Sequence, residues 1–183
     1  MPTEMKRLIL LPCLFLIAIS AVAQDRVELT LQALPEYMRE GAQVVELTES
    51  GEHVVLKEGK SGVTCRVPME GSFFIIRCNP ISDQALFDRL DSMVVRGGMG
   101  WYDARDKVFE EIDAGKLNAP VSGSTHFFIA GETLETAAME SLIFLPGVMA
   151  SDIGMGVESD DERPWMMWEG THLAHVMIYG DWK

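Results

Sequence analysis

The chain is short of three things that would have narrowed its chemistry. It has 15 basic residues against 28 acidic ones, three cysteines in 183 residues, and no apolar run long enough to span a membrane. The shortage of positive charge argues against nucleic acid as a partner, because an acidic surface repels a phosphate backbone. Anionic lipid surfaces are disfavoured for the same reason. No two cysteines stand in a CxxC arrangement, so a thioredoxin-like redox motif is not indicated. The longest apolar stretch, 8–20, has 13 residues, too few for a permanent transmembrane helix.

That stretch makes sense as an export signal. Lys6 and Arg7 precede it, and Ala21 and Ala23 follow it with the small side chains a signal peptidase requires. Cleavage is expected before Gln24, giving a signal peptide over 1–23 and one domain over 24–183. Cys13 lies in the middle of the apolar run and not at its end, which argues against lipid modification. The 160 residues left carry 13 basic and 27 acidic side chains, a net charge of −14. A chain of that size buries roughly 70% of its unfolded surface, enough for a real core. The expected location is secreted or periplasmic, and the acidity reads as solubility there. Two cysteines remain, Cys65 and Cys78. In an oxidising compartment an even pair reads as a disulfide. The loop it closes is short, so the bridge should contribute about 3 kcal/mol.

Periodicity predicts an α+β fold with a mainly antiparallel sheet, an N-terminal meander and a central helical hairpin. Pro35 and Gly41 bracket a short helix. "AQVVELT", "HVVLK", "GVTCRV" and "SFFIIRC" are valine-rich or apolar strands separated by glycine-containing connections, and read as the meander over 43–78. Cys65 alternates with Val63 and Val67, and Cys78 with Phe74 and Ile76, so both cysteines share apolar faces. Then the period changes. Leu86, Leu90, Met93 and Val94 recur at helical spacing, with Ser82 as N-cap and Gly97 as stop. Trp101, Val108, Phe109 and Ile112 define a second helical face ended by Gly115, with Asp103 and Lys107 placed to pair. The two helices make the hairpin over roughly 82–114. Strands are expected again at 125–131, 141–146 and 172–179. Strands, helices, then strands is not the alternation of a doubly wound fold.

Each motif with chemical promise has a plainer competitor. Gly97, Gly98 and Gly100 follow a helix and lack the lysine of a phosphate loop, so they read as a turn. "ESDDE" at 158–162 is contiguous, unlike the alternating ligands of a calcium loop, and reads as a solvated loop. "SGST" before His126 lacks the nucleophile-elbow pattern of a serine hydrolase. Ten methionines fall after residue 23, and Met166 and Met167 lie near His172 and His175. Thioether and imidazole together suit copper, but the methionines are scattered and fit gap-filling in a core. His172 and His175 are three apart, whereas zinc proteases space their histidines by four with Glu after the first. Leu173 occupies that place. "THLAHVMIY" reads as a covered strand, with His175 beside Leu173, Met177 and Tyr179 and His172 on the opposite face.

Four stretches, "LPGVMASDIGMG" (145–156), "EGTHLAHVMI" (169–178), "LPEYMREGAQVVEL" and "TCRV", resemble a family of uncharacterised secreted bacterial proteins. The resemblance implies export and a small globular domain. It carries no assigned activity and no functional residue. The expected function is therefore that of an exported, non-catalytic domain binding a ligand or partner, with no cofactor and no catalytic residue indicated. The alternative is a metal-dependent hydrolase or metal-binding protein using His126, His172 or His175, completed by an acidic residue.

Overall fold

The computed structural model describes residues 24–48, 50, 52–68, 74–160 and 162–180. The expected signal peptide lies outside the described residues. So do Ser72 and Phe73 of the fourth expected strand and Asp161 of the acidic run.

Residues 24–31 form helix α1, and Glu36–Arg39 a one-turn helix, α2. The chain then builds β1 (Gln43–Leu47), β2 (His53–Lys57), β3 (Val63–Arg66) and β4 (Phe74–Pro80). A 3₁₀ turn at Ile81–Asp83 leads into α3 (Gln84–Asp91), a π-helical turn at Ser92–Arg96 and α4 (Trp101–Asp113). Strands β5 (Thr125–Gly131), β6 (Ala138–Phe144), β7 (Trp165–Met167) and β8 (His175–Tyr179) follow. The eight strands among the described residues join one sheet in the order β2-β1-β3-β4-β5-β6-β8-β7. Every pairing is antiparallel except β1 with β3.

That exception corrects the expected meander. β1 and β2 form an antiparallel pair, but β3 lies on the other side of β1 and runs parallel to it. The connection from β2 to β3 must therefore cross the start of β1. Gly59 makes the crossing possible, since a Cβ there would lie 2.1 Å from the Gln43 nitrogen. The amides of Lys60 and Ser61 donate to the Gly41 carbonyl, and the Lys57 ammonium reaches the carbonyls of Glu40 and Ala42, both at 2.7 Å. Sequence order cannot reveal on which flank a strand docks.

The sheet is covered on both faces. On one face α3 and α4 bury Leu86, Phe87, Leu90, Ala104 and Val108 against Phe128, Leu142, Phe144 and Met177. Arg89 of α3 forks onto Glu111 of α4 through Nε and Nη2. Lys107 pairs with Glu110 at 2.8 Å and not with the expected Asp103. On the other face Ala33, Leu34, Val44, Ile76, Phe127 and Ile129 pack together with the two cysteines. A third cluster, Ala150, Met166, Ala174 and Val176, fills the rest of that face beneath the 145–157 segment. Cys65 and Cys78 stand directly opposite each other on β3 and β4 and form the expected disulfide, with Cα atoms 3.9 Å apart. Both are fully buried.

Candidate functional site

Two groupings of chemically capable side chains stand out, one sealed inside the domain and one at its surface. The sealed one centres on Asp83, at the end of the 3₁₀ turn. Its carboxylate accepts from the ring Nε2 of His126 at 2.8 Å, from the hydroxyl of Ser124 at 2.8 Å and from the hydroxyl of Ser82 at 2.9 Å. Ser82, expected as an N-cap, thus binds Asp83 instead. Burial alone would raise the Asp83 carboxyl, but these hydrogen bonds outweigh it and hold the group below its ordinary range. Burial likewise pulls the His126 imidazole down despite the neighbouring carboxylate. The pair is therefore a neutral imidazole donating to an ionised carboxylate. Phe87, Phe128 and Phe144 enclose the ring, which is fully buried, and its Nδ1 has no hydrogen-bond partner among the described residues.

The geometry differs from an activated nucleophile. In a serine triad the imidazole lies between hydroxyl and carboxylate. Here Asp83 lies between Ser124 and His126, so the serine donates to an acid and gains no base.

His175 begins β8, opposite Phe144 on β6 and Met167 on β7. Its Nδ1–H donates to the Leu173 carbonyl at 2.6 Å, while Nε2 is buried without a partner among the described residues. Desolvation lowers its pKa to about 4, so it is neutral at ordinary pH. His172 departs from expectation. The strand starts at His175, and His172 sits in the turn before it, 2.9 Å from the Asp113 carboxylate and edge-on to Phe109, both on α4. The turn re-aims the ring toward the helices, where alternation would have sent it to the opposite face. Among the described residues, no group of three or more His, Cys, Asp and Glu is arranged to hold a metal ion.

The surface grouping surrounds that same turn. Trp168, the residue after β7, has φ 55°, the one non-glycine positive φ among the described residues. A bulky side chain in the left-handed region is strained, at a cost of order 1–3 kcal/mol. Thr171 holds the turn by donating both its hydroxyl, at 2.7 Å, and its amide to the Trp168 carbonyl. The indole lies tilted against Trp101, ring centres 6.4 Å apart, and meets His175 edge-on at 5.3 Å. The Arg105 guanidinium lies 5.1, 5.6 and 5.4 Å from the rings of Tyr102, Phe109 and Trp168, and is neutralised by Asp106. Tyr102 is 64% exposed.

The sequence points to His126, His172 and His175 but not to Asp83, Arg105 or Trp168. Helical spacing places Tyr102, Arg105 and Phe109 on one stripe, a readable sign. Nothing in the sequence announces the left-handed tryptophan. No family model, curated protein or solved structure matches the chain.

Proposed function

We propose that the protein is an exported, non-catalytic binding domain, and that its ligand docks on the aromatic surface formed by Trp101, Tyr102, Arg105 and Trp168. The observation that carries this reading is the strained backbone of Trp168. Strain at a partly exposed aromatic residue persists only where the surroundings enforce it, and such residues cluster at binding sites. The buried Asp83–His126 pair supports the non-catalytic half, since it offers neither access nor an activated nucleophile. Export is proposed on the N-terminal pattern and accords with the disulfide. It also fits the resemblance to secreted bacterial proteins.

The surface suits a neutral ligand with a flat apolar face and polar edges, such as a sugar ring. Indole and phenol rings offer the stacking platform. The Arg105 charge is already matched by Asp106, which leaves no net attraction for an anion. The metal-dependent alternative lacks a converging ligand set among the described residues. The test is a titration of tryptophan fluorescence with a panel of neutral mono- and oligosaccharides. A saturable change is expected for at least one sugar, weakened about two- to tenfold in Tyr102→Ala, the loss of one stacked ring being worth about 0.5–1.5 kcal/mol. A folded protein whose emission responds to none of the panel would refute the sugar reading.

A further inference from the structure

The two edges of the sheet are treated differently. At β7 the outer edge is closed, because the Met166 amide donates outward to the Gly156 carbonyl. At β2 it is open. The register shows which groups face out. The Val67 amide donates to the Val45 carbonyl, so the backbone of Val45 faces β3. Val45 stands opposite Val55 across the antiparallel pair, and Leu47 opposite His53. In such a pair the backbone groups of both residues point away from each other. The N–H and C=O of His53 and Val55 therefore point out of the sheet, and none of them has a backbone partner among the described residues.

Edge strands are normally guarded by a charge, a proline or a covering loop. β2 reads His-Val-Val-Leu-Lys, and its one lysine turns its ammonium back onto backbone carbonyls. Val54 and Val55 are 47% and 44% exposed. A surface depression of about 630 Å³ opens at the end of the strand, lined by Tyr37, Glu40, Glu58 and Lys60 with Gly41 and Gly59. Tyr37 is 85% exposed. Glu52 flanks the other end of the strand. A second copy pairing antiparallel about Val55 would set Glu52 against Glu58 of its mate, and both copies are strongly acidic. Like charges directly opposite are destabilising.

We propose that β2 accepts an extended peptide as a ninth strand, one with alternating apolar residues and a lysine or arginine at each end. The peptide backbone pairs with His53 and Val55, which is strand addition to a free edge. Its apolar side chains cover Val54 and Val55. One basic end enters the depression, where Glu40 and Glu58 outnumber Lys60 and the Tyr37 ring supplies a cation–π face. The other basic end meets Glu52.

The test uses a capped synthetic peptide of alternating valine and threonine with lysine at both ends, added to the full mature protein. Expected results are saturable binding, slowed amide exchange at His53 and Val55, and affinity that falls with salt. Val55→Pro removes an outward donor without touching the ladder to β1, and should weaken binding at least tenfold. Glu52→Lys with Glu58→Lys keeps the edge and reverses its charge, so it should reject this peptide and accept one ended by glutamate. That exchange of preference is readable even where the proline variant fails to fold. Absence of binding would overturn the proposal. So would unchanged preference in the charge-reversed protein, or a dimer formed through β2 that the peptide does not dissociate.

Discussion

His175 is a base kept neutral by its position. The residue is 2% exposed, one ring nitrogen serves the Leu173 carbonyl, and the other faces apolar surroundings. In the unfolded chain its pKa is about 6.5, against about 4 in the fold. Protonation therefore favours the unfolded state. The contribution of neutral His175 is fully present above about pH 6.5, is lost as pH falls toward 4, and is gone below that. The difference corresponds to about 3 kcal/mol. His126, lowered in the same direction, steepens the same window, and the depressed Asp83 carboxyl extends the loss to still lower pH. Urea unfolding at pH 7, 5.5 and 4 should show stability falling through that window. His175→Leu should be flatter, because its remaining slope comes from His126 and other groups. Equal slopes in parent and variant would disprove the assignment.

At the scale of elements, α3 is fastened to the sheet by buried charge. Asp91 accepts from Arg77 at 3.1 Å and from Arg66, and Arg66 also reaches Asp88 at 3.0 Å. The Arg77 guanidinium lies between the rings of Phe87 and Phe128, at 4.5 and 4.7 Å, and burial pulls its pKa well below the usual value. Its Nε and Nη1 lack partners among the described residues, so Asp91 is its main compensation. Asp91→Ala should lower stability by about 3–5 kcal/mol, the cost of stranding a buried charge. Arg77→Met combined with Asp91→Leu should recover most of that, as read by chemical denaturation. Failure of the double variant to recover would mean that the pair has a role beyond its own neutralisation. These contacts also mark where the sequence stopped being informative. Alternation of valine and cysteine on β3, and of isoleucine and cysteine on β4, made the strands and the disulfide legible. The same alternation put Arg66 and Arg77 on what looks like a solvent face, and their acid lies 25 and 14 residues away on a helix. Helix α1 was hidden because Val27, Leu29 and Leu31 alternate as a strand would. β7 is three residues long, too short for any period to show. His126 could be singled out, but not its partner Asp83, which a cap position at a helix start explains equally well.

At the scale of the whole molecule, the sheet needs cover on both faces, and one of the covers comes from the first described residues. Thr30, Ala33 and Leu34 are fully buried against the face that holds the disulfide. Val27, Leu29 and Leu31 pack there too, and Arg26 pairs with Glu46 of β1 at 2.6 Å. The Leu34 carbonyl is held in turn by Arg39 Nε at 2.9 Å. An expected cut before Gln24 leaves this helix with the domain, whereas a cut ten residues later would uncover Val44, Ile76 and Phe127. Burial of Leu34, in the turn after α1, is alone worth about 1.5–3 kcal/mol, and α1 with that turn contributes on the order of 5 kcal/mol, as much as many domains have in total. The Cys65–Cys78 bridge ties β3 to β4 beneath the helix and does nothing to replace its apolar cover. Removal of residues 24–34 should therefore give a protein that keeps its disulfide yet melts much lower and binds a hydrophobic dye. A truncated form with the parent's melting temperature and no dye binding would show that the domain ends at Pro35 and that the helix is an accessory.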